Sequence, residues 1–383
     1  MRRDAPSMML LAAVTLGAFG VFARGDAVNV RAMFHHGDRP VRVGRAPADV
    51  GDGTSEACAA CHAEIADEWR ASQHATSWSD ELFQAAYAVE PMQFCRNCHA
   101  PGARAARVPD VRSQREGVSC AICHVRDGHV LGPGRNRPPA AGGHAFEAVV
   151  AMRTTAFCEG CHQFNFPGDS GARGEVFATD EPMQDTHAEW AMSASATQGE
   201  HCQDCHMPWV SSPDGRRHRS HRFPGGGDRS LLASAVRVEG SARATERETV
   251  VSVTVSPGRI GHSFPTGDLF RRAELKVWLD GDEAHAQVVA MAREFRPELE
   301  RDPHGRIVFV RRQSLDTRVA PPGVGVATPT ELRFAARAAT VRWRLDHLLM
   351  PSPMAASQGF GEPRVRTTVT EGRFEVAPQG APP

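Results

Sequence analysis

The sequence predicts two unlike halves: an α-helical, loop-rich segment organised by cysteine motifs, then an all-β, sandwich-like domain. Three observations predict this. All ten cysteines fall between Cys58 and Cys205 and none follows. They occur as five evenly built pairs. Beyond residue 230, apolar residues recur at every second position in short runs separated by Gly- and Pro-rich breaks. A length of 383 residues suits two domains. The expected division is 1–23, 24–54 as a linker, 55–230 and 231–383.

At the start, Arg2 and Arg3 precede the almost wholly apolar run Met8–Ala23. That run is shorter than the roughly 20 residues a bilayer-spanning helix needs. With small residues at Val21 and Ala23, 1–23 reads as a signal peptide, and an uncleaved N-terminal anchor is the alternative. The expected location is periplasmic or extracellular. Hydrophobic residues make up 41% and charged residues 23%, which excludes a disordered or polytopic membrane chain. With 44 basic and 45 acidic residues, no basic footprint argues for nucleic acid.

The five pairs are Cys58-Ala-Ala-Cys61-His62, Cys95-Arg-Asn-Cys98-His99, Cys120-Ala-Ile-Cys123-His124, Cys158-Glu-Gly-Cys161-His162 and Cys202-Gln-Asp-Cys205-His206. Each is C-x-x-C-H, the c-type haem attachment signature. Two thiols separated by two residues reach the two vinyl groups of one porphyrin, and the following imidazole falls beneath the iron. Structural zinc would need the pairs to combine into sites of four, and would not require histidine after every second cysteine. The expected cofactors are therefore five covalently bound haem c groups, with His62, His99, His124, His162 and His206 as proximal iron ligands. So few residues per porphyrin cannot enclose separate aliphatic cores, because short segments bury little surface. The haems must form the interior, packed on one another as electron hopping requires.

The sixth ligands must come from the remaining histidines. His74 lies in Trp69-Arg-Ala-Ser72-Gln-His74, after a stretch, Ala63–Ala71, that reads helical. His144 follows a Gly/Pro-rich loop, Gly132–Gly143. His221 is favoured with His218 as its rival, and His262 stands in the turn-rich Gly261-His-Ser-Phe-Pro-Thr-Gly267. The fifth falls among His187, His129 and His201, with His187 taken first. His35, His36, His285, His304 and His347 read as surface residues. Met92, Met183 and Met207 read as core fillers rather than thioether ligands.

Several of these runs resemble multihaem cytochromes c of the cytochrome c-554 type. The resemblance rests on Cys61-His62 to Trp69-x-x-Ser72-x-His74-Ala75, Gly117-Val-Ser-Cys120-x-x-Cys123-His124, Glu189-Trp190-x-x-Ser193, Cys202-Gln-Asp-Cys205-His206-Met207-Pro208 and Gly261-His-x-Phe-Pro-Thr-Gly267. It covers roughly residues 55–270. It implies a pentahaem domain that carries electrons, with His74, His144, His221 and His262 in distal positions. The second tryptophan–serine run departs from the first, having Ser195 where the first has His74.

In the last domain, Val251, Val253 and Val255 alternate with polar residues, and similar alternation marks Glu274–Leu279, Ile307–Val310, Leu332–Phe334, Val341–Leu345 and Val365–Val369. No nucleophile–base pair or phosphate loop accompanies them. The expected function is electron transfer between redox partner proteins, in a complex that can be membrane-associated, with no acid–base catalysis. The alternative is an oxidoreductase acting on a small nitrogen or sulfur compound at one five-coordinate haem. Two catalytic haem types are disfavoured: Lys276, the only lysine, lies outside every motif, as does Tyr87, the only tyrosine.

Overall fold

The computed structural model describes residues 46–378, apart from 104–107, 137, 139–142, 168–175, 178–179 and 302–304. The signal-peptide or anchor run at 1–23 lies outside the described residues, as do His35, His36 and His304. Among the described residues, no helix is long and apolar enough to cross a membrane.

The N-terminal half is a string of short helices: α1 (Ser55–Ala59), α2 (Ala63–Arg70), α3 (Glu81–Val89), α4 (Gln93–His99), α5 (Val111–Glu116), α6 (Cys120–His124), α7 (Ala156–His162), α8 (Thr186–Ala191), α9 (Ala194–Thr197) and α10 (Cys202–His206). Side-chain caps start several of them. Asp80 accepts from the Phe83 amide, Asp110 from Ser113 and Ser193 from Ala196, each satisfying an amide the helix leaves unpaired. Helix α2 is amphipathic, burying Ala66 and Trp69 one turn apart. The expected helix at Ala63–Ala71 is therefore present. Two- to four-residue strand pieces join these helices, such as the hairpin of Trp209–Ser211 with Arg217–Arg219.

The C-terminal half begins with α11 (Arg229–Ala235), capped by Asp228, which runs straight into strand β1 (Val236–Ala244). It continues as β2 (Thr249–Pro257), β3 (Arg272–Leu279), β4 (Gln287–Arg301), β5 (Ile307–Asp316), β6 (Thr330–Phe334), β7 (Thr340–Leu348) and β8 (Arg366–Ala377). Every run that alternates in the sequence lies on or against one of these strands. In β3, Ala273, Leu275, Val277 and Leu279 point inward while the residues between them stay half-exposed, the period-two burial that the pleat dictates.

The strands connect in the order β6-β2-β1-β8-β7-β3-β4-β5, and Val176–Phe177 adds a parallel edge beside β5. Sandwich-like packing is thus achieved by one curled sheet rather than two separate ones. Strand β8 pairs antiparallel with β7 and, at Val376 and Ala377, parallel with β1. The main apolar core lies in its concavity, where Val251 and Val253 of β2 meet Leu275, Val277, Val341 and Leu345. Burying each such side chain contributes roughly 1.5–3 kcal/mol. The halves also interpenetrate. Residues 176–177 join the sheet, and the loop between β2 and β3 reaches back towards the attachment helices.

One expectation is overturned by the sheet. His347 is not a surface residue: it is 4% exposed on the inward side of β7, with its ring 6.1 Å from that of Phe264. Burial, with the nearby Arg271 charge adding to it, pushes its pKa down to about 4. The unfolded chain protonates this imidazole near 6.5, so below that pH it binds more protons than the folded chain. Stability therefore falls as pH drops from 6.5 towards 4, by up to about 3 kcal/mol from this residue alone. His347→Gln is expected to flatten the pH dependence of urea unfolding in that window, and an unchanged slope would assign the acid sensitivity to other groups.

Candidate haem sites

Residues i, i+3 and i+4 of a helix share one face. Four of the five C-x-x-C-H runs lie within helices α4, α6, α7 and α10, and the first straddles the end of α1 and the turn after it. Each motif thus presents two thiols and an imidazole on one side, as attachment of a single porphyrin demands. None of the ten cysteines is paired in a disulfide.

The histidines then form pairs. Ring centres are 6.2 Å apart for His62 and His144, 6.3 Å for His74 and His162, 6.1 Å for His124 and His221, and 6.2 Å for His206 and His262. Two imidazoles bound to one metal at about 2 Å each place their ring centres about 6 Å apart, so an iron fits between the members of every pair. The other ring nitrogens support the same reading. Nδ1 of His99, His124, His144, His206, His221 and His262 donates to the backbone carbonyls of Ser77, Leu131, Ala145, Pro224, Arg219 and Ser263, at 2.6–3.0 Å. That contact fixes the tautomer that leaves Nε2 as the metal-binding atom. Burial lowers the pKa of His74 to about 3 and those of His162 and His221 to about 4, which keeps these three imidazoles neutral. Neutral imidazole is the ligating form.

His99 is the exception. Its Nδ1 meets the Ser77 carbonyl at 2.6 Å and one ring face stacks on Phe83, centres 3.7 Å apart. Among the described residues, no second imidazole is paired with it. The structure does not bring His187 there. Its Nε2 lies 3.8 Å from Glu159 and its ring sits by Trp190. His129 is beside Glu147, and His201 is beside Thr155. His218, the rival of His221, contacts Glu68 instead. Ser195, standing where the first tryptophan–serine run has histidine, donates to Glu200 at 2.9 Å.

The thiols show how the five motifs adjoin. The Cys58 side chain meets that of Cys120, Cys98 meets Cys161, and Cys158 meets Cys202. Cys123 lies within electrostatic reach of Cys161. All five motifs are linked, with the fourth touching two others and lying near a third. Beside them, the buried guanidinium of Arg126 donates to the carbonyls of Ala121 and Val125, while its Nε has no partner.

Several polar contacts that hold this arrangement join segments distant in the sequence. Glu189, 3% exposed, accepts from the Ser263 amide (3.1 Å), the Thr266 hydroxyl (2.7 Å) and Arg318 (2.6 Å). Arg318 is held in turn by Asp316 at 2.7 Å. Together with the backbone pairing of Phe264 and Val319, these contacts tie the loop carrying His262 to α8. Only a long-range contact creates the Glu189–Arg318 pair, so local pattern could not reveal it.

Comparison with known proteins bears on the same region. Residues 57–125 match the family described as cytochrome c554 and c-prime. No curated protein matches the sequence. A solved structure, that of a penta-haem cytochrome c552 from Thermochromatium tepidum, superposes on 86% of this chain and 100% of its own, with a TM-score of 0.66 and 18% identity. At that identity the likeness is one of fold.

Proposed function

We propose that this multihaem c-type cytochrome passes electrons between redox partner proteins through five covalently bound haem c groups, four held between two histidines and one by His99 alone. The observation that carries the reading is the uniform 6.1–6.3 Å separation of four imidazole pairs, each containing one C-x-x-C-H histidine. Haem iron supplies a one-electron couple whose potential its axial ligands set. The chain's residues do the rest. The cysteines hold adjacent groups close, through the contacts of Cys58 with Cys120, Cys98 with Cys161 and Cys158 with Cys202. Carbonyls on Nδ1 keep the imidazoles oriented, which limits rearrangement as charge arrives and leaves. The apolar start at 1–23 supports export to the periplasm or beyond.

Low-temperature electron paramagnetic resonance of the oxidised protein, with haem counted per chain, tests this. Four low-spin ferric signals and one high-spin signal are expected from five haems. Fewer than five haems, or several high-spin irons, would overturn the assignment.

His99, which faces no second imidazole among the described residues, favours a second reading, reduction of a small nitrogen or sulfur compound at that site. Asp268 and Arg271 lie within electrostatic reach of His99, and charged groups beside an open position can bind an anion and deliver protons. Nitrite or hydroxylamine turnover by the reduced protein, abolished by a ligand that occupies the high-spin iron, would establish it. A carrier shows reversible reduction and no turnover.

A further inference from the structure

Two stretches of the chain build the same local frame. Glu68-Trp69-Arg-Ala-Ser72 follows the first motif along the chain, and Glu189-Trp190-Ala-Met-Ser193 follows the fourth. Trp69 Nε1 donates to the carbonyl of Val118, two residues before Cys120, at 2.8 Å. Trp190 Nε1 donates to that of Glu200, two residues before Cys202, at 2.9 Å. The hydroxyls of Ser72 and Ser193 donate to their own tryptophan's carbonyl at 2.6 and 2.7 Å, and accept from the amides of Ala75 and Ala196. The correspondence extends upstream. Ser55 and Thr155, each three residues before the first cysteine of a motif, meet the thiols of Cys120 and Cys202.

The glutamates complete the repeat. The Glu68 carboxylate accepts from the His221 amide at 2.8 Å, and that of Glu189 accepts from the Ser263 amide, next to His262, at 3.1 Å. His221 and His262 face His124 and His206. Those are the histidines of the two motifs whose approach the tryptophans hold. One frame thus fixes a motif with its tryptophan and the segment bearing the opposing imidazole with its glutamate.

Resting on the ligation reading above, we propose that Glu68 and Glu189 are equivalent positioning residues, each holding the segment that supplies one haem's sixth ligand, His221 or His262. Both carboxylates are poorly exposed, with side chains at 17% and 4%. Hydrogen bonds from amides to a buried carboxylate are charge-assisted and stronger than neutral ones. Each also has a second anchor: His218 Nε2 at 3.3 Å from Glu68, and Arg318 at 2.6 Å from Glu189. Truncating either glutamate leaves the backbone of the ligand-bearing segment without its partner, while the opposing motif keeps its tryptophan contact.

The test uses the full, haem-loaded chain with Glu68→Ala and Glu189→Ala, and His221→Ala and His262→Ala as references. Each glutamate variant is expected to lose one low-spin ferric signal and gain one high-spin signal, with added imidazole restoring the original spectrum. Glu68→Gln and Glu189→Gln, which keep an acceptor oxygen, are expected to retain the low-spin state but to let carbon monoxide reach one additional ferrous haem at least fivefold faster. A merely structural role would lower the melting temperature and leave the spin count intact. Unchanged spectra in the glutamate variants, alongside a lost low-spin signal in the histidine variants, would overturn the proposal and spare the ligation reading. Unchanged spectra in the histidine variants would overturn both. If the alanine variants fail to load haem, the glutamine variants decide, and an unaltered carbon monoxide rate in them overturns the proposal.

Discussion

Produced without haem attachment, the chain is expected to fold in one half only. The sheet contains a contiguous core running from Leu232 through Val251, Leu275, Val341 and Leu345 to Val369. Around the motifs, by contrast, the buried apolar side chains are small (Ala66, Ala75, Ala100 and Ala121) or scattered outside the buried clusters (Trp69, Trp78, Ile122, Val125 and Phe166), apart from the pair Leu131–Val149 and Leu82, which packs on Met350 and Val365 of the other half. Ordering a residue's backbone costs about 1–2 kcal/mol, and this sparse burial cannot offset that over the motif-bearing residues. Their interior is the space between the paired imidazoles, where attached porphyrin would bury its faces. A structural group of this kind couples binding to folding, as metals do in small domains. Hydrogen exchange of the haem-free chain should show protected amides in β1–β3, β7 and β8 and near-random exchange from residue 55 to 206. Protection throughout 55–206 in the absence of haem would show that the protein alone forms that interior.

Replacing His74 by alanine is expected to have the largest effect on electron transfer of any single ligand change. His74 faces His162, whose motif has the most neighbours: Cys161 meets Cys98, Cys158 meets Cys202, and Cys123 lies within electrostatic reach. Its imidazole is further locked by Phe223, edge-on at 4.3 Å. Removing it changes the potential of the most connected group. A shift of about 59 mV alters a one-electron equilibrium tenfold, so even a modest change there creates a trap or a barrier for every route. Stopped-flow reduction followed by reoxidation should slow by at least about tenfold in His74→Ala. His144→Ala, acting on the first motif, should change the spectrum with a smaller loss of rate. Equal slowing by the two variants would remove the fourth motif from its central place.

The C-x-x-C-H runs stand out in the sequence because the proposed thioether attachment needs only a local five-residue pattern, which folding does not disguise. His74, His144, His221 and His262 were singled out by their surroundings, a tryptophan–serine run or a turn-rich loop, and each faces a motif histidine, although nothing local says which one. That pairing is set by tertiary structure alone. His187 was chosen because the count of imidazoles suggested a fifth ligand, but its neighbours are Glu159 and Trp190. His347 was misjudged although a signal existed. It shares the parity of Val341, Trp343 and Leu345 in β7, all inward-facing. The strands were readable from their alternation, whereas the joining of their two halves through β8 depends on a parallel contact with β1 that no local pattern encodes. The contacts of Glu68, Glu189 and Arg318 escaped because a buried ion or amide contact is made between distant segments.

The order of the imidazole partners along the chain has a consequence for biogenesis. His74 precedes the histidine it faces, whereas His144, His221 and His262 all come later than His62, His124 and His206. A polypeptide appears amino terminus first, so three of the four couples are sealed only when a downstream stretch arrives. The last must wait for the β2–β3 loop of the following sheet. On the proposed ligation, three haems keep their sixth position unfilled until later segments fold, and the carboxyl-terminal half supplies the last of them through His262.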